Sequence, residues 1–318
     1  FTTNHGTGGD IFEAKTICDK YGIRCLFGVE GYIVPNPLEK DNRNYHIIII
    51  PVDNTARKKL NLITSRANIE GFYYKPRIVL EDLLKLNPND VYITTACIAG
   101  IVRDKEGITD IFLPLVQHFG KNVFLEVQNH NDNNQKKIND ICLKLSEKFK
   151  LELIAGNDSH YIYPEDKEYR DLFLKGKEMV YSDEGEFILD YPDAQTIVNR
   201  YIKQGVLNKE EIIEALENTL IFDEAEELTI INDDIKLPSI SKNPNYDLKK
   251  AIFEAWQIEK QNIPTERIQE YEEAIRYEVD IIEKCHMEDY FVLDYEIVKL
   301  GKSKYNGMMT KTGRGSAP

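Results

Sequence analysis

Apolar positions in the first 160 residues come in short bursts separated by longer stretches of mixed polarity. Residues 26–30, 32–34, 45–52, 91–95, 123–127 and 153–155 are rich in β-branched and aromatic side chains and read as strands. Between them, residues 10–21, 56–67, 108–118 and 134–149 repeat their apolar positions at helical spacing. Strand and helix in alternation predict an α/β fold, either a β/α barrel or a layered sheet. From Asp166 the strand signal fades, and residues 209–228 and 247–261 are polar and apolar at the helical period. The stretch from Leu237 to Pro244, which contains Pro238 as well, reads as a linker, so the chain divides into residues 1–238 and 245–318. The second part is helix-rich: 266–284 and 290–299 both carry helical patterns before a glycine-rich end. There is no internal repeat and no low-complexity tract.

Composition narrows the class. With 318 residues, 42% of them hydrophobic and 30% charged, the chain has the make-up of a globular protein, and no run of 18 apolar residues could span a bilayer. Its five cysteines, Cys18, Cys25, Cys97, Cys142 and Cys285, are odd in number and form no C-x-x-C pair, which points to a reducing cytoplasm rather than to a disulfide framework. A net charge of −14 weighs against direct phosphate neutralisation by Lys and Arg. Acidic clusters can instead hold metal ions that meet phosphates. The chain begins at Phe1 rather than Met and breaks off in a glycine-rich loop, so both ends read as cut.

Three of the six histidines, His5, His46 and His160, stand at the edges of predicted strands or turns. Strand ends form the reactive rim of an α/β fold, so Glu30, Cys97 and Asp158, each closing or following a strand, would converge there with them. His46 begins its apolar run instead of ending it, and a hairpin resolves this: if residues 45–52 return antiparallel, their start comes back to the rim that holds Glu30. Asp158 and His160, two residues apart, would point to one side of an extended chain. Imidazole, carboxylate and thiolate together suit zinc, and the carboxylates also admit manganese or iron. Singly, each residue has a plainer reading: a hydrogen-bonded structural His, a small buried Cys, a solvated carboxylate. His118, His130 and His286 lack this context, and Cys18, Cys25 and Cys142 read as core. Residues 70–78 and 161–166 read as structural, with Phe72, Tyr73 and Tyr74 in a buried aromatic turn.

The set resembles the PHP domain of the bacterial DNA polymerase III alpha subunit, the C-family replicative polymerases. Thr3-Asn4-His5-Gly6 is similar to that family's T-D-H-G, Gly28-Val29-Glu30 to its G-x-E and Tyr45-His46 to its Y-H. Residues 70–78, Thr95-Ala96-Cys97, Asn157-Asp158-Ser159-His160-Tyr161 and Ala215-Leu216-Glu217-Asn218-Thr219 follow in order. Glu288-Asp289-Tyr290-Phe291-Val292 and Gly313-Arg314-Gly315-Ser316-Ala317 then resemble the opening of the polymerase palm.

The resemblance implies a distorted β/α barrel in which nine ligands hold up to three metal ions. His5, Glu30, His46, Cys97, Asp158 and His160 match six of the nine; an H-x-H pair and an Asp would lie before Phe1. Asn4 stands where the family usually has Asp, removing a charge beside His5, and Glu126, closing another strand, is a candidate partner behind the ligands. The chemistry implied is phosphodiester hydrolysis, as a 3'-to-5' proofreading exonuclease, with a phosphoesterase of small metabolites and a non-catalytic brace for the palm as alternatives. At the other end, Gly313, Arg314, Gly315 and Ser316 resemble a loop that contacts the incoming nucleotide. The magnesium-binding aspartates of polymerisation would lie beyond Pro318. The partners implied are primer-template DNA, dNTPs and replisome subunits such as a sliding clamp and an exonuclease subunit.

Overall fold

The strands are β1 (Thr2–His5), β2 (Phe27–Val34), β3 (Tyr45–Pro51), β4 (Phe72–Tyr73), β5 (Lys75–Val79), β6 (Val91–Thr94), β7 (Val123–Gln128) and β8 (Leu153–Gly156). The computed structural model describes residues 2–36, 43–179, 187, 189–229 and 237–308. The chain divides into two units, Phe1–Ile230 and Ile231–Pro318. All eight strands belong to the first unit and form one mixed sheet in the order β4-β5-β2-β3-β6-β7-β8, with β1 added on β2. The fold is mixed α/β with a helix-rich C-terminal part, as the alternation of patterns predicted.

β2 organises the sheet because it is buried along all eight residues. Its first half pairs in parallel with β1 (Thr2↔Phe27 to His5↔Glu30) and its second half with β5 (Tyr32↔Arg77 to Val34↔Val79). Its other edge pairs antiparallel with β3, in a register that sets Tyr32 opposite His46. The expected hairpin is therefore present. β3 runs antiparallel to β6, and β6, β7 and β8 are parallel.

Strand alternation sends successive side chains to opposite faces, and both faces are covered. Val29, Ile33, Ile47, Ile49, Ile93 and Leu125 enter one apolar cluster with Leu60 and Ile63 of helix Asn54–Ile69 and Ile138 and Cys142 of helix Asn133–Phe149. Ile50, Tyr92, Phe124 and Ile154 face the other way into a second cluster closed by Phe222. The two long helices start where a carboxylate can cap them: Asp53 accepts from Ala56 N at 2.6 Å, and Asp132 accepts from Asn134 N at 2.7 Å.

The hairpin β4–β5 corrects the reading of residues 72–74 as buried. Phe72 is 59% and Tyr74 75% exposed. Tyr74 occupies the left-handed region at φ 59° between the two strands, which turns its ring outward; Arg77 and Ile78 are the buried residues of this stretch. Cys25 and Cys142 are core residues as expected, whereas Cys18 is only half-buried.

The second unit contains helices Pro244–Glu259, Ile268–Lys284 and Glu288–Tyr305. Its buried apolar side chains among the described residues are Leu248 and Val292. The nucleotide-loop candidates Gly313, Arg314, Gly315 and Ser316 lie outside the described residues. No helix among the described residues is long and apolar enough to cross a membrane.

Candidate metal centre

Ending β1 at His5 while β2 runs on places the His5 ring beside Glu30, its partner in register. Glu30 lies in the middle of β2, not at a strand end, so the rim formed here is that of β1. Across the hairpin, His46 Nδ1 comes to 2.9 Å from Glu30 Oε1, and His5 Nε2 lies 3.8 Å from Glu30 Oε2. The ligand atoms of His5, Glu30 and His46 all lie within 4.8 Å of one another.

Cys97 follows β6 on a loop tied to His46 twice. Its Sγ is 3.3 Å from His46 Nδ1, and the His46 N–H donates to the Ala99 carbonyl at 3.0 Å. The loop needs Gly100, where a Cβ would sit 1.9 Å from the Thr95 carbonyl oxygen.

Asp158 and His160 arrive after β8, but not on extended chain. Asp158 is in the left-handed region at φ 48°, so the same-side argument from strand alternation fails. The loop is shaped instead by its own bonds. Asn129 Nδ2 donates to Asn157 Oδ1 (3.1 Å), Ser159 Oγ donates to the Asp190 carbonyl (2.7 Å) and His160 N donates to the Leu189 carbonyl (2.8 Å). Asp190 is buried and gripped by Arg200 in a two-pronged ion pair of 2.6 and 2.8 Å. None of Asn129, Asp190 and Arg200 was legible in the sequence, because an anchor behind a loop carries no spacing signature of its own.

His5, His46, Cys97, Asp158 and His160 all line one cavity of about 950 Å³, with Glu30 buried beneath it. The structure thus brings the six predicted residues together. Tyr32 stacks on His5 with ring centroids 5.5 Å apart, and Lys75 Nζ lies 5.0 Å from the centre of the Tyr32 ring. The outer wall comes from Tyr169, Arg170 and Phe173 of helix Lys167–Gly176 and from Tyr161 and Ile162. Sequence reading missed this wall, since exposed aromatics on a short helix look like ordinary surface.

The two neighbours named beside the ligands fall differently. Asn4 and His5 are adjacent in β1, so their side chains leave opposite faces, and Asn4 makes no hydrogen bond to His5. The expected influence of Asn4 on His5 is therefore not a direct contact. Glu126 is buried, accepting from Thr94 Oγ1 at 2.5 Å and Gln128 Nε2 at 2.9 Å, and touches no ligand through a hydrogen bond among the described residues.

The electrostatics favour a cation. Burial pushes the Glu30 carboxyl up, but the His46 hydrogen bond and the charges of His5, His46 and His160 outweigh it and hold Glu30 below its ordinary value. Burial, helped by His46, His160 and Lys75, pushes the His5 imidazole below its ordinary value in spite of the neighbouring Glu30. Burial together with Asp158 and Glu30 pushes the Cys97 thiol well up. A carboxylate held below its ordinary value, imidazole nitrogens and a buried thiol form a donor set that a divalent transition metal would complete. Edges of roughly 3.3–3.8 Å are what metal–N and metal–S arms of about 2.0–2.3 Å make in a tetrahedron. The observed separations of 2.9–3.8 Å span that range.

Comparison with known proteins meets this geometry from the other side. Residues 2–130 match the PHP domain model, and residues 248–318 match the model of the bacterial DNA polymerase III alpha NTPase domain. The chain is a relative of the DNA polymerase III alpha subunits. It is 28% identical over 337 residues to that subunit of Borreliella burgdorferi, covering 99% of this chain and 28% of the relative. The Aquifex aeolicus subunit is 28% identical over 343 residues, with 99% and 29% covered, and the Treponema pallidum subunit 29% identical over 188 residues, with 54% and 16% covered. The chain thus spans under a third of the length of these relatives. The PHP match includes His5, Glu30, His46 and Cys97 and stops at His130; Asp158 and His160 join the cavity from beyond it.

Proposed function

We propose that this chain is the PHP-bearing part of a replicative DNA polymerase and that its PHP domain, residues 1–238, binds divalent transition metal ions. Residues 245–318 would begin the polymerase palm, with Gly313, Arg314, Gly315 and Ser316 meeting the incoming dNTP. The observation that carries the metal reading is the convergence of His5, His46, Cys97, Asp158 and His160 on one cavity floored by Glu30. His5, Glu30, His46 and Cys97 would hold one ion, and Asp158 and His160 would complete that site or bind a neighbouring one. Zinc, manganese and iron all suit this mixture of imidazole, carboxylate and thiolate. Bound metal would acidify a water and stabilise charge on phosphoryl oxygens, the chemistry of phosphodiester hydrolysis. In this reading the site is a 3'-to-5' exonuclease.

The protein's own groups prepare the site for that chemistry. Glu30 holds His46 at its Nδ1, Tyr32 holds the His5 ring by stacking, and Phe173 and Ile162 line the outer side of the cavity. Partners proposed for the whole protein are primer-template DNA, dNTPs with magnesium, a sliding clamp and a separate exonuclease subunit, in the cytoplasm.

Elemental analysis of the purified protein, beside His46→Ala and His160→Ala, tests the centre. Near-stoichiometric transition metal is expected in the parent protein, falling at least severalfold in His46→Ala. Absence of metal, with no release of nucleotides from a 3' end, would leave the PHP domain as a brace for the palm.

A further inference from the structure

Behind Cys97 runs a chain of buried hydrogen bonds that metal binding alone does not require. Glu126, in β7 and only 4% exposed, accepts from Thr94 Oγ1 through one carboxylate oxygen and from Gln128 Nε2 through the other. Thr94 Oγ1 in turn accepts from the Ala96 N–H at 3.2 Å, while Thr95 Oγ1 accepts from the Glu126 N–H at 2.9 Å. Ala96 is held in the left-handed region at φ 57°. That conformation is strained for a residue with a Cβ, so surrounding bonds must impose it.

The turn has a consequence for the site. It diverts the chain out of β6 and delivers the next residue, Cys97, with Sγ 3.3 Å from His46 Nδ1 and 3.8 Å from Glu30 Oε1. The carboxylate that anchors it is expensive to keep. Burial raises Glu126 to about 7, and β8 must carry Gly156, the register partner of Gln128, where a Cβ would stand 2.0 Å from Glu126 Oε1. An apolar residue at 126 would pack against β8 without these demands, but would leave the Thr94 hydroxyl without its acceptor.

We propose that Glu126 is a positioning residue: acting through the Thr94 hydroxyl, it fixes the left-handed turn at Ala96 and so presents the Cys97 sulfur to the metal centre. The proposal rests on the metal reading of the site. It differs from a ligand role, since the Glu126 carboxylate accepts from Thr94 and Gln128 and from no candidate ligand among the described residues.

The test is cobalt(II) titration of the full chain, followed by the thiolate-to-cobalt charge-transfer absorption, with Cys97→Ala identifying the band. Thr94→Val removes the relay at nearly constant volume, Thr94→Ser restores the hydroxyl, and Glu126→Gln keeps an acceptor for it. Thr94→Val is expected to lose most of the band and roughly 10–100-fold in cobalt affinity, while Thr94→Ser and Glu126→Gln retain both and all variants melt cooperatively. A full-strength band with parental affinity in Thr94→Val would overturn the relay, as would equal loss in Thr94→Val and Thr94→Ser, which would mark a packing effect. If the parent protein shows no band that Cys97→Ala removes, it is the thiolate-bearing centre itself that fails, and the relay with it.

Discussion

His130 shows how much one buried side chain can say about the site end of the sheet without belonging to the metal centre. It follows β7, stacks on Phe187 at 4.5 Å between ring centroids and is nearly parallel to it, at 4°. Its Nε2 is buried with no hydrogen-bond partner among the described residues. Burial, with the Arg200 charge adding to it, pushes the imidazole down to about 4. In the unfolded chain the same group protonates near 6.5, so between these values the unfolded state binds more protons than the folded one. The stability it contributes is complete above pH 6.5 and drains away as pH falls through about 4. His130→Phe keeps the stacked ring and removes the titration. Denaturant unfolding between pH 7 and 4 should then lose up to roughly 3 kcal/mol of its acid dependence. An unchanged pH slope would show that the imidazole is protonated as easily in the folded protein as outside it.

Single elements explain what could be read from the sequence and what could not. β2, β3, β6, β7 and β8 were legible because both faces of the sheet are covered, which makes their residues continuously apolar. β1 was not: Thr2-Thr3-Asn4-His5 is short and half to fully exposed, so only its parallel pairing with β2 makes it a strand. β5 begins Lys75-Pro76, a poor strand signal, and survives because only its later residues pair with β2. The helix Lys167–Gly176 buries no residue although Tyr169 and Phe173 recur at helical spacing, and both line the cavity instead of the core. Among the candidate ligands, chemistry and rough location were legible, while the mid-strand place of Glu30 and the left-handed Asp158 depend on pairing and loop bonds. The Asp158–His160 loop makes the point testable, for it leans on Asp190, and Asp190 on Arg200 of helix Ala194–Gln204. The Asp190 side chain is 4% exposed, so removing its partner strands a buried carboxylate. Arg200→Ala should cost about 3–5 kcal/mol in unfolding free energy and should lower bound metal, whereas Arg200→Lys, which keeps the charge but not the fork, should fall between. Unfolding indistinguishable from the parent would mean that the ion pair is not what holds this loop.

At the scale of the whole molecule, the chemistry is unevenly distributed. Every candidate ligand among the described residues lies in the unit Phe1–Ile230, which also contains the entire sheet and both apolar clusters. The unit Ile231–Pro318 is helical in its described part, with little buried apolar surface, and its local ties are ones such as Trp256 stacked on Tyr271 and Asn245 donating to Glu283. A ligand that binds only one folded unit stabilises that unit by mass action, about 2.7 kcal/mol when present at a hundred times its dissociation constant. Two units of such different content need not unfold as one. Calorimetry of the metal-loaded chain, repeated after chelation, should therefore show the transition of the sheet-bearing unit moving down by several degrees. The helical unit's contribution should stay where it was. If both shift together, the two units unfold cooperatively and the metal stabilises the pair; if neither shifts, the six residues of the cavity do not hold a metal that matters to the fold.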